Sequence, residues 1–204
     1  MKDWTTLPKQ SIIDNSVKNL IDHGFDTEVV ETKEDALAAI LSYIPEGSEI
    51  MTGSSTTLDQ IGFTNYLTTN TTKFNNLGAS VWAENDADKR NVLRRKSETA
   101  DYFLSSVNAV TEDGKLVAVD LSGSRVGAFA FSAGHLVLVV STFKIVKDLN
   151  LAMERIQEYV FPLENERAKK AYGANSGFGK WVILEREIQK GRIHVVLVNE
   201  ILGF

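Results

Sequence analysis

The chain of 204 residues contains no cysteine. That absence excludes disulfides, thiolate catalysis, cysteine-ligated zinc and iron–sulfur clusters held by this chain. No stretch approaches the roughly 18–20 consecutive apolar residues that span a bilayer. The opening MKDWTTLPKQ has no apolar h-region of the kind a secretory signal carries, so a soluble cytoplasmic protein with no membrane partner is expected. Basic residues are also in deficit: 22 Lys and Arg stand against 27 Asp and Glu, a formal charge of -5. With no dense basic stretch to neutralise phosphates, nucleic acid is not an expected partner. The patterns G-x-x-x-x-G-K-[ST] and G-x-G-x-x-G are both missing, which disfavours nucleotide binding of those kinds. No resident cofactor and no metal site are expected.

What remains is ordinary for a globular protein, with 43% hydrophobic and 24% charged residues. The length suits one domain, residues 1–204, with a sizeable core. Ile12, Ile13, Val17, Leu20 and Ile21 recur at helical spacing after Ser11, which reads as an N-cap, and His23-Gly24 supplies a stop signal. TEVVET reads as a strand and KEDALAAILSYIPEG as a second helix ended by Pro45, so the part up to about residue 45 is mainly helical. Residues 63–98 are polar and turn-rich, then charged and helical in DADKRNVLRRKSETA; this section is expected to hold the more mobile parts.

Regular patterning returns with DYFLSSVNAV, and Asp113-Gly114 in TEDGKLVAVDL marks a hairpin between two β-rich runs. SGSRVGAFAFSAG reads as a small-residue helix, and HLVLVVS as a strand buried on both faces. A helix over residues 148–159 and a final strand in RIHVVLVNEILGF complete the chain. Strands alternating with helices predict an α/β, three-layer, Rossmann-like domain around a mainly parallel sheet.

The stretch EIMTGSSTTLDQIGF joins a strand to a helix through small polar residues. In doubly wound folds ligands sit at such junctions. Gly53 permits close backbone approach, and Ser54, Ser55, Thr56 and Thr57 bring hydroxyls to a helix start that favours an anion. The alternative is that Thr56 or Thr57 simply caps a helix whose buried face includes Leu58 and Ile61. Spacing alone leaves both readings open.

A second constellation, ADYFLSSVNAVTEDGKLVAVDLSGSRVGA, followed by FSAGHLVLVVSTFKIVKDLNLAMERI and the terminal GRIHVVLVNEILGF, resembles the lactate-utilisation (LUD) domain family over residues 47–204. The resemblance implies a fold like that of the ribose-5-phosphate isomerase, glucosamine-6-phosphate deaminase and CoA-transferase superfamily, whose Gly/Ser/Thr loop after a strand commonly holds a phosphate. It makes Asn108 a ligand-binding candidate and places Asp120, Gly123, Ser124 and Arg125 at a second strand-to-helix junction. Among these Arg125 is best suited to clamp a carboxylate or phosphate, since guanidinium donates two parallel hydrogen bonds to either; the alternative is a solvated or salt-bridged arginine. Lys144 reads either as a neutraliser of an anionic ligand or as a surface residue. Glu200, Asp120 and His135 are candidate acids or bases, with His135 read alternatively as a capping or hydrogen-bonded structural histidine. Many family members carry a cysteine-containing segment between a P-x-x-N-x-R motif and the last strand; here PLENER (Pro162, Asn165, Arg167) is followed over residues 171–190 by a cysteine-free tract. That tract, with Gly173, Gly177 and Gly179, reads as a flexible connection or lid, with Phe178 or Trp181 available to cover a ligand.

The family implies oxidation of lactate or a related hydroxy acid to pyruvate, with partner proteins carrying the iron–sulfur and redox centres. Superfamily geometry offers two alternatives: an independent isomerase or transferase acting on a phosphorylated or CoA-linked molecule, and a non-enzymatic ligand sensor or scaffold subunit. A homodimer is the default expectation for a soluble oligomer.

Overall fold

The computed structural model describes residues 2–70 and 72–204. In chain order its strands are β1 (Asp26–Val30), β2 (Glu49–Thr52), β3 (Asn75–Asn76), β4 (Tyr102–Ser105), β5 (Ala109–Thr111), β6 (Leu116–Asp120), β7 (His135–Ser141), β8 (Ile145–Val146), β9 (Lys180–Leu184) and β10 (Ile193–Val198). The α-helices are α1 (Gln10–Asp22), α2 (Lys33–Tyr43), α3 (Thr56–Gln60), α4 (Phe63–Thr69), α5 (Leu77–Ala83), α6 (Ala87–Ser97), α7 (Leu149–Arg155) and α8 (Phe161–Tyr172). Strands β1, β10, β7, β4, β2 and β3 lie side by side in that order, every neighbouring pair parallel. A second sheet, in the order β8-β5-β6-β9, carries the predicted Asp113-Gly114 hairpin between antiparallel β5 and β6.

Strand β7 shows why the layers form. Successive side chains of a strand point to opposite faces. Leu136, Leu138 and Val140 pack in one core with Ile13 and Leu20 of α1 and with Val110 and Leu116 of the second sheet. Val137 and Val139 pack in another with Ala36 and Ile40 of α2, Leu58 of α3 and Phe63 of α4. A strand held between two cores must be apolar throughout, which is the origin of the continuous run in HLVLVVS. The second sheet repeats the device: Leu116 and Ala118 face the first core, while Val117 and Ala109 meet Ala152, Ile156 and Val160. The result is the Rossmann-like α/β architecture expected from the alternation of elements. No helix of the described residues is long and apolar enough to cross a membrane.

Several local readings are corrected. Helix α1 begins at Gln10 after Lys9, so Ser11 lies inside it rather than capping it. The charged helix read in DADKRNVLRRKSETA is present as α6, and the polar part of residues 63–98 before it, read as turn-rich, holds α4, β3 and α5, with Thr71 outside the described residues. Asp86 caps α6 by accepting hydrogen bonds from the amides of Asp88 and Lys89 at 3.0 Å each. The helix placed over residues 148–159 continues: α7 passes into a π-helical segment, Ile156–Val160, and then into α8. The small-residue segment also contains a π-helical turn, Ala128–Ser132. The tract over residues 171–190 is not loop alone, since its KWVIL forms β9 and pairs along β6 from Leu116 to Asp120.

One feature of the order positions a site. From β2 the chain runs outward to β3 and then returns to β4 on the other side of β2, so the winding reverses between β2 and β4. In open parallel sheets such a reversal leaves a crevice at the carboxyl ends of the strands, which is where ligands bind.

Candidate functional site

A cavity of about 630 Å³ occupies that crevice. Its floor is built by the segments that leave three adjacent parallel strands: Gly53, Ser54, Ser55, Thr56 and Thr57 after β2, Ser106 to Asn108 after β4, and Lys144 after β7. The amide of Gly53 donates to the carbonyl of Leu104 at 2.9 Å, which carries the β2–β4 pairing into the loop. Ser55 caps α3, its Oγ accepting from the amide of Leu58 at 3.3 Å, so the cap is neither Thr56 nor Thr57. Leu58 and Ile61 are buried as the cap reading required. The loop is therefore both a capped helix start and a cavity wall.

Two cations reach this floor. Lys144 is 2% exposed, and its Nζ donates to Thr57 Oγ1 at 3.3 Å, Ser106 Oγ at 3.2 Å and the carbonyl of Val107 at 3.3 Å. Arg125 is half-buried; its Nη1 donates to the carbonyl of Ser106 at 3.2 Å and its Nη2 to that of Val119 at 2.7 Å. A third cation, Arg155, is wholly buried behind the floor and donates through Nη1 to the carbonyl of Asn108 at 2.6 Å. Among the described residues no carboxylate lies within salt-bridge distance of any of the three. Burial, reinforced by the nearby Arg155 and Arg125 charges, holds the Lys144 amine well below the ordinary lysine range. Burial likewise brings Arg155 down to about 10. Three further arginines reach the wall: Arg90 Nη1 donates to the carbonyl of Glu84 at 3.2 Å, Arg94 Nη2 donates to Ser124 Oγ at 2.7 Å, and Arg167 pairs with Glu164 through bonds of 2.7 and 2.8 Å. The wall is richer in cationic than in anionic side chains, an arrangement that favours an anion. Among the described residues no group of three or more His, Asp or Glu side chains is arranged to hold a metal ion.

The LUD domain family model matches residues 13–198. The chain belongs to the LUD domain family. Its fold is similar to the crystal structure of a DUF162 family protein from Deinococcus radiodurans, with a TM-score of 0.58 at 13% identity over 95% of this chain and 100% of that one. A second solved structure, eIF2B delta from Chaetomium thermophilum, aligns at 13% identity over 70% of this chain and 55% of its own, with a TM-score of 0.38. No curated protein matches the sequence.

Within this LUD domain the residues singled out from sequence separate into two groups. Gly53, Ser54, Ser55, Thr56, Thr57, Asn108, Asp120, Ser124, Arg125 and Lys144 all line the cavity. Asn108 is held in place by its Oδ1, which accepts from the amide of Val119 at 2.9 Å, and Asp120 accepts from the amide of Arg125 at 3.0 Å. Gly123 is absent from the wall; it turns with φ +93° beside the Lys180 side chain. His135 opens β7 and Glu200 follows β10, and neither lines the cavity. His135 sits at the amino end of its strand, stacked on Tyr102 at 4.7 Å with Nδ1 3.0 Å from the Gly191 carbonyl. A parallel sheet presents its ligand edge at the other end, roughly 20 Å away for seven residues at about 3.3 Å each. Glu200 instead accepts from the amide of Lys33 at 2.9 Å, at the start of α2.

The cysteine-free tract contributes Phe178 to the wall, packed on Phe161 at 4.6 Å, while Trp181 belongs to the packing around β9 and does not line the cavity. Sequence reasoning missed Arg90, Arg94, Ser106 and Tyr172. The one available signal was the i,i+4 spacing of Arg90 and Arg94, which puts both on one face of α6.

Gly53 fixes how closely Arg125 can approach. A Cβ there would lie 2.8 Å from Arg125 Cγ, 2.9 Å from Cδ and 2.9 Å from Ser105 Oγ. Gly53→Ala is expected to cost about 1–3 kcal/mol by overpacking and to displace the guanidinium. Urea unfolding with and without an anionic ligand checks both effects; unchanged ligand response would mean that the position of Arg125 is immaterial.

Proposed function

We propose that this LUD domain binds a small carboxylate, a 2-hydroxy or 2-oxo acid, in the cavity at the carboxyl ends of β2, β4 and β7. In this reading it serves as a component of lactate or related hydroxy-acid oxidation. The observation that carries it is the pair Lys144 and Arg125 on the cavity floor, neither with a carboxylate in salt-bridge distance among the described residues, although Asp120 and Glu164 stand farther off in the same wall. Having no cysteine to ligate an iron–sulfur cluster, the chain would act with partner proteins that supply the redox centres. Its own part is to bind and orient the acid: Arg125 supplies planar donors for the carboxylate, and the Thr57 and Ser106 hydroxyls face a neighbouring hydroxyl or carbonyl oxygen.

Melting curves with lactate, pyruvate, inorganic phosphate, sugar phosphates and coenzyme A test the reading. A ligand at about 100 times its Kd adds about 2.7 kcal/mol, which for a chain of this size raises Tm by about 5–10 °C. That shift is expected with the hydroxy and oxo acids and is expected to vanish in Arg125→Gln. A second reading, an isomerase or transferase on a phosphorylated or CoA-linked molecule, is favoured by the cavity itself. Its 630 Å³ falls in the range of pockets for drug-sized ligands and exceeds the needs of a three-carbon acid, and Arg90 and Arg94 add positive charge to its wall. Shifts confined to phosphorylated ligands would replace the first reading by the second.

A further inference from the structure

We propose that the Lys144 amine condenses with the carbonyl carbon of a 2-oxo acid in the cavity to form an imine, with Arg125 holding the carboxylate. The inference rests on the carboxylate-binding reading above and adds a covalent step to it. A buried structural lysine ordinarily pairs with a carboxylate, and a surface lysine extends its ammonium into water. Lys144 does neither. Its Nζ ends on the cavity floor against two hydroxyls and one carbonyl, all at 3.2–3.3 Å. These contacts are longer than the usual 2.9–3.0 Å for a nitrogen donor, so the nitrogen is loosely held.

The spacing suits a 2-oxo acid in particular. Lys144 and Arg125 bond the same residue: Nζ reaches Ser106 Oγ at 3.2 Å, and Nη1 reaches the Ser106 carbonyl at 3.2 Å. The carboxylate and carbonyl carbons of a 2-oxo acid are directly bonded, so its clamp and its nucleophile must converge in this way. Gly203 lies over Lys144 and Thr57. With φ +69°, a Cβ there would collide with Thr57 Oγ1 and stand 3.1 Å from Lys144 Nζ, so only glycine leaves room above the nitrogen.

The step balances without an oxidant or reductant. The nitrogen lone pair adds to the carbonyl carbon and forms the C–N bond; the carbonyl oxygen leaves as water, taking both amine protons. Thr57 and Ser106, each in contact with Nζ, can pass protons between nitrogen and the departing oxygen. The same burial that lowers the basicity of Lys144 leaves more of it as the free amine that attacks.

Trapping with cyanoborohydride near neutral pH tests the proposal, using pyruvate and glyoxylate as probes, peptide mapping as the readout, and melting curves in parallel. One reduced adduct at Lys144 is expected, forming about tenfold or more faster than on exposed lysines, since each unit of lowered pKa gives tenfold more free amine. It is expected to be absent in Lys144→Met and slowed in Arg125→Gln. Labelling no faster at Lys144 than on the surface, with pyruvate still raising Tm, overturns the imine and leaves the carboxylate site standing. No preferential labelling and no Tm shift overturns both.

Discussion

Arg155→Ala is expected to destabilise the protein by about 3–5 kcal/mol, the cost of deleting a large buried side chain and orphaning its partner. For a chain of this size that lowers Tm by about 6–20 °C. Arg155 is wholly buried, with its guanidinium centred 4.8 Å over the Phe143 ring and 5.2 Å over the Tyr159 ring. The two aromatic faces take the place of a carboxylate, and each desolvated contact of this kind contributes about 2 kcal/mol. Its Nη1 satisfies the Asn108 carbonyl at 2.6 Å, so truncation both opens a void and strips that carbonyl. Arg155→Lys keeps the charge and loses the planar stack, and a loss between wild type and alanine is expected. Urea melts of the three proteins decide it: a loss below about 1 kcal/mol in the alanine variant would mean that water replaces the guanidinium at the Asn108 carbonyl. Because Asn108 lines the cavity, the same variant is also expected to weaken the response to anionic ligands.

Arg155 also shows where a sequence stops being informative. In LNLAMERIQEY an arginine inside a helix reads as a solvated residue, and nothing local announces that Phe143 and Tyr159 will enclose it. The π-helical segment that starts at the next residue, Ile156, is equally silent in the sequence, although it shifts the phase of every side chain beyond it. Strand β7 was legible because burial on two faces leaves its mark on every residue, and the hairpin because Asp-Gly dictates a turn type. Strand β9 was not: its residues are at best half-buried, it follows a glycine tract, and among the described residues it pairs with β6 alone. Within the site, the loop after β2 was visible from its small residues. Lys144 stood between ligand and surface roles because FKIV does not say which way a lysine turns after a buried strand. His135 shows the converse: its place in the sequence is at the start of the buried strand, and that amino end lies away from the cavity formed at the carboxyl ends. Arg94 was hidden for a third reason: a charged helix discloses which residues share a face, but not that Ser124 lies opposite.

Lys144→Met is expected to have the opposite sign to the Arg155 truncation, raising stability by about 1–3 kcal/mol, as replacing poorly compensated buried charge with an apolar side chain of similar volume commonly does. That corresponds to about 2–12 °C in Tm. Methionine fills the space, and the Thr57 and Ser106 hydroxyls, 3.5 Å apart, can turn to each other. The pH dependence identifies the cause. The folded-state pKa of Lys144 lies well below 10.5, so between that value and 10.5 the unfolded chain holds a proton that the folded chain lacks. Wild-type stability therefore gains with pH across this window through Lys144, and below the folded pKa the penalty is full and constant. The methionine variant has no such proton, so its advantage is expected to shrink as pH rises towards 10.5. Parallel stability curves for the two proteins across that window would show that Lys144 titrates as an ordinary lysine. Narrowing curves, together with loss of the ligand-induced Tm shift in the variant, would identify a side chain retained at a cost in stability for what it does in the cavity.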